Sequence, residues 1–238
     1  MLIGLKLPLG SGRVAIMLGL KKKVLVVGAN GKIGRRVTRL LAVRGHAVAA
    51  LVRDREVFAG AGIRGDVEVR EGDLEEEDLT TYMDGIGAVV FTAGSGGKTG
   101  GDKTLLVDLY GAIKCTRAAE RTGISQFVMV SALKSDHPDA GPERIRHYLV
   151  AKMLADDYLR RSGLNYVILR PGTLTDEPGT GLVQAALRLE ERDGKITRDD
   201  VAEMVVRCLE RPDLRRVAFD LLNGSQPIDE AIDTIIAG

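Results

Sequence analysis

Four apolar residues, Val24 to Val27, run directly into a turn that carries a glycine at every third position: Gly28, Gly31 and Gly34. The apolar run is short and mostly β-branched, which suits a strand buried on both faces. After it, Ile33, Val37, Leu40 and Leu41 recur at i, i+4, i+7 and i+8, the apolar stripe of a helix lying on a sheet. Gly45 ends that helix, and His46 to Val52 begins a second strand. The glycines therefore occupy the turn between strand and helix of a βαβ unit, and that context makes a short motif informative. Glycine at 28 permits a tight turn, at 31 a close approach of backbone to a ligand, and at 34 close packing of helix on strand. The helix N-terminus then aims unpaired N–H groups and a positive dipole end at an anion such as a diphosphate.

The rest of the chain continues the alternation. Strands are predicted at Val67 to Arg70, Ala88 to Thr92, Gln126 to Val130, Asn165 to Leu169 and Val217 to Leu222. Helices are predicted at Glu75 to Met83, Asp102 to Thr122, His147 to Ser162, Leu182 to Arg192, Thr197 to Glu210 and Ile228 to Ile236. A chain of 238 residues in this pattern makes one α/β domain, a doubly wound parallel sheet with ample core.

The Gly-x-x-Gly-x-x-Gly spacing, from about Lys22 onward, resembles the short-chain dehydrogenase/reductase superfamily, in particular its atypical branch of small NAD(P)H-binding proteins. That branch includes NmrA-like proteins and flavin or biliverdin reductases. The resemblance implies a Rossmann fold over residues 21–238. Residues 1–20 are set aside as an N-terminal extension, since Met17 directly precedes the start expected of such a family. It also implies that Gly28, Ala29, Asn30, Gly31, Lys32, Ile33 and Gly34 form the diphosphate-binding turn. Asp73 and Leu74, ending the third strand, flank adenine in the resembling family, although Asp73 also reads as the N-cap of the Glu75 helix. Ala93 and Gly94 sit where family backbone passes the ribose. Pro171, Gly172 and Thr173 match the segment whose backbone meets the nicotinamide carboxamide.

Arg53 ends the second strand, 25 positions after Gly28. An acid there holds a ribose 2′-hydroxyl, whereas a basic residue accommodates a 2′-phosphate, so Arg53 points to NADP(H), with Arg35 adding charge nearby. Asp54 follows and keeps NAD open.

Tyr148 and Lys152 stand four apart on a predicted helix and so share a face. A nearby ammonium favours the phenolate and lowers a tyrosine pKa. In the family, such a lysine also binds the nicotinamide ribose, the tyrosine protonates the carbonyl that takes hydride, and a strand-ending serine, here Ser131, orients that carbonyl. Ser131, Tyr148 and Lys152 are the expected catalytic set. Asp108 departs from the pattern: it stands where many relatives have asparagine, and an ionised carboxylate only accepts hydrogen bonds.

The remaining signals mainly exclude. With 34 basic and 33 acidic residues the net charge is +1, which leaves no electrostatic footprint for nucleic acid or an anionic membrane. Val14 to Leu20 is too short to span a bilayer. Cys115 and Cys208 lie far apart inside predicted helices and read as small buried hydrophobes of a reducing, cytoplasmic protein. No His/Cys cluster has metal-ligand spacing. Ser95 to Thr99 misses a P-loop by one residue, because position 92 is threonine. The function implied is an NADP(H)-dependent oxidoreductase passing hydride to a small carbonyl, quinone or flavin-like acceptor, as a monomer or homodimer. A non-catalytic NADP(H) sensor of the NmrA-like kind and a nucleotide-sugar epimerase are the alternatives.

Overall fold

In the computed structural model, residues 23–238 are described, apart from 64, 77 and 98. The extension read over residues 1–20 lies outside that range. The strands are β1 (Lys23–Val27), β2 (Val48–Val52), β3 (Val67–Glu71), β4 (Ile86–Phe91), β5 (Gln126–Val130), β6 (Tyr166–Pro171), β7 (Thr173–Thr175), β8 (Leu182–Ala186), β9 (Lys195–Thr197), β10 (Val217–Asn223) and β11 (Gln226–Pro227). The helices are α1 (Lys32–Val43), α2 (Arg55–Ala59), α3 (Gly101–Lys103), α4 (Ala112–Thr122), α5 (Arg146–Arg161), α6 (Arg198–Glu210) and α7 (Ile228–Ala237). A π-helical stretch, Thr104–Gly111, joins α3 to α4 as one continuous rod.

The main sheet runs β11-β8-β10-β6-β5-β4-β1-β2-β3. From β3 to β10 every pairing is parallel, and β8 and β11 add an antiparallel edge. This is the doubly wound Rossmann architecture, in one domain. Its strand order reverses between β1 and β4, and ligands bind such sheets outside the strand C-termini at that point. One apolar layer packs α1, α6 and α7 on one face through Val37, Leu41, Val201, Val205 and Ile232. The other packs α4 and α5 on the opposite face through Cys115, Ala119, Ala155 and Leu159. The central strands β1, β4 and β5 are buried along both faces, as their unbroken apolar runs require.

Two predicted helices do not form. Leu182 to Arg192 begins as β8, in which Val183 and Ala185 are buried while Leu182 and Gln184 face outward. Its leucines and alanines favour a helix locally, but antiparallel pairing with β10 decides the outcome. Between Glu75 and Met83 only a short 3₁₀ turn, Leu79–Tyr82, appears. The carboxylates of Asp73 and Asp78 accept from Glu75 and Thr80 N–H at 2.8 and 3.0 Å, closing local turns in competition with a helix. The segment between β5 and α5 holds two 3₁₀ turns, Pro138–Ala140 and Glu143–Ile145, and β7 with β9 forms a small parallel sheet. Both cysteines are buried and unpaired, and burial pushes both thiols well up.

Candidate cofactor and active site

The ends of β1 to β4 enclose a cavity of about 500 Å³. Eight of the residues expected to hold the cofactor line it: Gly28, Asn30, Gly31, Arg53, Asp73, Leu74, Ala93 and Gly94. The turn that opens it is shaped by two different steric demands. Gly28 has φ +80°, and a Cβ there would stand 2.6 Å from Ala93 Cα, so this residue seats β1 against the end of β4. Gly34 is buried in α1, and its Cβ would fall 2.3 Å from Gly28 O and 2.9 Å from Thr92 Oγ1. Gly31 differs: its Cβ would meet only Gly28 O, at 3.1 Å, and otherwise open space. It is the N-cap of α1, no side chain caps that terminus, and the first turn carries no acid. The helix thus presents its N–H groups and positive end without competition from a side chain, the arrangement an anion needs. Ala29 and Ile33 support the turn from the core side. Lys32 reaches away, to Asp176 at 2.5 Å.

At the end of β2, Arg53 is exposed. One oxygen of the Asp54 carboxylate caps α2, accepting from Val57 N–H at 2.8 Å. Asn30 Nδ2 donates to Asp54 O at 2.8 Å. Arg35 makes only long bonds, to Asn30 Oδ1 at 3.4 Å and Val57 O at 3.3 Å, and its Nε is buried with no acceptor. Arg35 thus keeps donor capacity next to Asn30 and Val57, which line the same cavity as Arg53, and guanidinium groups suit a phosphate better than a bare hydroxyl. At the other rim, Lys103 closes on Glu75 at 2.7 Å, over buried Leu74. Neither Glu75 nor Lys103 was singled out in the sequence, since a pair 28 residues apart leaves no local signal.

Asp108 sits on the π-helical stretch and is buried. Its Oδ2 accepts from Ser95 N–H at 2.9 Å, and its Oδ1 lies 3.0 Å from where a Gly94 Cβ would be. The acid in place of the family asparagine therefore pins the Ala93–Ser95 turn.

The second half of the site lies at the ends of β5 and β6. Ser131 is buried there, and α5 brings Tyr148 and Lys152 one turn apart. Lys152, also buried, donates to Val130 O at 2.9 Å. Contrary to the expectation for a Tyr–Lys pair, the Tyr148 phenol is pushed well up: burial is the main cause, and the charges of Asp108 and Asp156 add to it. Pro171 closes β6, and its carbonyl accepts from Leu133 N–H at 2.9 Å. Gly172 N–H already bonds Leu221 O at 3.0 Å, and Thr173 N–H bonds Gly194 O at 2.9 Å, so those two donors are engaged within the protein.

A buried ionic cluster that the sequence did not reveal backs this half-site. Arg170 approaches Asp156 at 3.5 Å and Asp136 at 3.7 Å. Arg192 bridges Asp136 at 2.5 Å and Asp220 at 2.8 Å. Among the described residues, no group of three or more His, Cys, Asp or Glu could hold a metal ion, and no helix is long and apolar enough to cross a membrane.

A family model described as NAD(P)H-binding matches residues 28–212. The chain is 46% identical over 214 residues to the uncharacterized sugar epimerase YhfK of Bacillus subtilis (strain 168), covering 88% of this chain and 98% of that one. Its structure resembles a Bacillus halodurans protein provisionally described as an NAD-dependent epimerase/dehydratase, with TM-score 0.86, 43% identity, and 90% and 100% of the two chains covered. It also resembles ChuY, an anaerobilin reductase from Escherichia coli O157:H7, with TM-score 0.72, 27% identity, and 84% and 97% covered.

Proposed function

The chain belongs to the NAD(P)H-binding family, within the atypical short-chain dehydrogenase/reductase superfamily, and on that premise we propose that it is an NADP(H)-dependent oxidoreductase acting on a small carbonyl, quinone or flavin-like acceptor. One observation carries the choice of NADP(H) over NAD(H). Arg53 lines the cavity at the end of β2, Arg35 makes only long bonds to Asn30 and Val57 of the same lining, and the Asp54 carboxylate gives one oxygen to a helix cap. A 2′-phosphate would give acceptors to Arg53 and to the loosely held Arg35, whereas a 2′-hydroxyl calls for an acid, and the acid here already caps α2 with one oxygen. The turn from Gly28 to Gly34 and the N-terminus of α1 would hold the diphosphate. Ala93 and Gly94 would pass the ribose, and Asp73 and Leu74 the adenine.

Bound nicotinamide supplies hydride. The protein's part is to present the acceptor at the ends of β5 and β6, where Ser131, Tyr148 and Lys152 lie. Lys152 is locked on Val130 O, which fixes its stem for a ribose contact. A nucleotide-sugar epimerase is the second reading, favoured by the description of the B. subtilis relative, and it uses the same hydride chemistry.

The test is direct. Titration with NADPH and NADH, followed by nicotinamide fluorescence, should give the tighter binding for NADPH. A panel of carbonyls, quinones and flavins, followed by loss of nicotinamide absorbance, should contain an acceptor. Turnover of a nucleotide sugar without net loss of NADPH would select the epimerase, and equal affinity for both cofactors would reject the NADP(H) assignment.

A further inference from the structure

Behind Ser131 runs a chain of buried polar side chains that does not line the 500 Å³ cavity. Ser131 Oγ lies 3.3 Å from Ser135 Oγ, and Ser135 Oγ lies 2.9 Å from Asp156 Oδ2. The three residues are 4%, 0% and 2% exposed, so no bulk water takes part in the chain. Asp156 Oδ1 is buried with no hydrogen-bond donor. Arg170 Nε stands 3.5 Å from Oδ2 without forming a hydrogen bond, and Lys152, one turn back on α5, donates one N–H to Val130 O. Burial disfavours the charged form of such a carboxyl more than the nearby Ser131 and Ser135 hydroxyls and the Lys152 and Arg170 cations favour it.

A hydroxyl has one proton to point. If Asp156 is ionised it only accepts, so Ser135 donates to it and Ser131 donates to Ser135. Ser131 then turns a lone pair outward. If Asp156 carries a proton, every bond reverses and Ser131 turns its O–H outward. Only the second polarity suits an acceptor oxygen that gains charge as its carbon takes hydride.

We propose that Asp156 is a positioning residue and proton store, which sets the direction of the Ser131 hydroxyl through Ser135 and supplies the proton of the reduction. The inference rests on the oxidoreductase reading. As the acceptor carbon takes hydride, the π pair of its C=O moves to oxygen. That oxygen takes the Ser131 proton, Ser131 takes that of Ser135, and Ser135 takes that of Asp156. Asp156 is left as a carboxylate facing Arg170 and Lys152, and solvent restores its proton after the product leaves.

Charge supports this direction. The cations around Asp156 are Lys152, Arg170 and, beyond Asp136, Arg192; the acids are Asp156, Asp136 and Asp220. Arg188 adds a further cation beyond Asp136, and the carboxylate left by proton delivery is stabilised by the cations Lys152 and Arg170 beside it. Burial raises the Asp156 carboxyl above its usual range, against the pull of Ser131, Lys152, Arg170 and Ser135. The rival donor, Tyr148, faces Asp108 and Asp156 and holds its proton more tightly than an ordinary phenol.

The test needs no substrate. Infrared spectra of the ligand-free protein, with aspartate 13C-labelled at its side-chain carboxyl, separate protonated carboxyls from carboxylates. At pH 7 the expected result is a protonated band that loses its isotope shift in Asp156→Glu. It should also move in frequency in Ser135→Ala, which keeps all the charges, and to a lesser degree in Ser131→Ala. Carboxylate bands alone at Asp156, or a protonated band indifferent to both serine variants, would overturn the proposal. NADPH titration of the same samples keeps the two readings apart. Wild-type protein that fails to bind NADPH refutes the oxidoreductase reading, whereas a failed infrared result with intact NADPH binding refutes the proton store alone.

Discussion

Two glycines three residues apart should differ in thermal stability when each gains one methyl group. At Gly31 the backbone has φ −68° and ψ 160°, which alanine adopts freely, and the new Cβ meets only Gly28 O at 3.1 Å. Removing glycine's freedom at a compatible site stabilises by about 0.4–1 kcal/mol. The poorer N-cap takes back a similar amount. The melting temperature of Gly31→Ala should therefore stay within about 2–4 °C of wild type, the shift that one kcal/mol makes in a chain of this size. Its methyl group, however, stands between the α1 N-terminus and the cavity. Losing one charge-assisted bond to a phosphate costs about 1.5–3 kcal/mol, so NADPH affinity should fall by about 10- to 150-fold. At Gly34 the methyl group would fall within 3 Å of Gly28 O, Ala29 Cα and Thr92 Oγ1, two of them backbone. Overpacking of this kind costs about 1–3 kcal/mol or more, against about 1 kcal/mol gained in helix propensity. Gly34→Ala should lower the melting temperature and, by shifting the turn, weaken NADPH as well. Thermal melts and NADPH fluorescence titrations of the two variants decide the matter. Gly31→Ala with wild-type affinity would show that the diphosphate does not lie on this turn.

Three other perturbations test separate parts of the site. Arg53→Ala should weaken NADPH by up to about 5-fold, the order of one exposed charged contact, and leave NADH unchanged; equal losses in calorimetric titration would disprove the 2′-phosphate contact. Because the Tyr148 phenol is held above its ordinary range, the folded protein keeps a proton that the unfolded chain loses near pH ~10. That contribution to stability is whole below this pH and is lost as pH rises past it. Tyr148→Phe should therefore flatten the alkaline fall in melting temperature, and superimposable curves would contradict the assignment. Arg192→Ala leaves Asp220, fully buried, and Asp136 without their guanidinium. Breaking a buried pair from one side costs about 3–5 kcal/mol, and a melt within 2 °C of wild type, below the ~2–4 °C that each kcal/mol makes, would be incompatible with it.

What the sequence revealed is what it encodes locally. The β1–α1 turn is contiguous, and each of its glycines answers to a steric demand that neighbouring residues create. The strands of the parallel sheet appear as apolar runs because both faces are covered. Leu182 to Ala186 misled because its helix-favouring residues become a strand only through β10, more than thirty residues later. Glu75 to Met83 misled because acids that favour a helix start equally favour the isolated turns that Asp73 and Asp78 make. The cluster of Asp136, Arg170, Arg192 and Asp220 draws on four separate segments and has no spacing to read. Arg35 was legible as a nearby charge, but its unsatisfied Nε is a property of the packed turn alone.

The same distinction bears on whether the protein turns over substrate or only registers its cofactor. A sensor of NADP(H) would need the β1–α1 turn, Arg35 of α1, Arg53 after β2 and the cavity at the ends of β1 to β4. It has no need of charge buried at the ends of β5 and β6, where each ion carries a desolvation penalty of several kcal/mol. Yet Lys152, Arg170 and Asp220 are all at most 3% exposed, and the Asp156 carboxyl, Ser131 and Ser135 are buried among them. Apolar residues of similar volume would hold this region at lower cost. A chain that keeps buried polar groups beside the place where hydride would arrive, and connects them by hydroxyls to a carboxyl, is better explained by proton movement than by binding alone. Simultaneous Ser135→Ala and Tyr148→Phe substitutions separate the two. In an enzyme they abolish acceptor reduction while NADPH still binds, whereas in a sensor they change neither NADPH binding nor any other function of the cofactor-loaded protein.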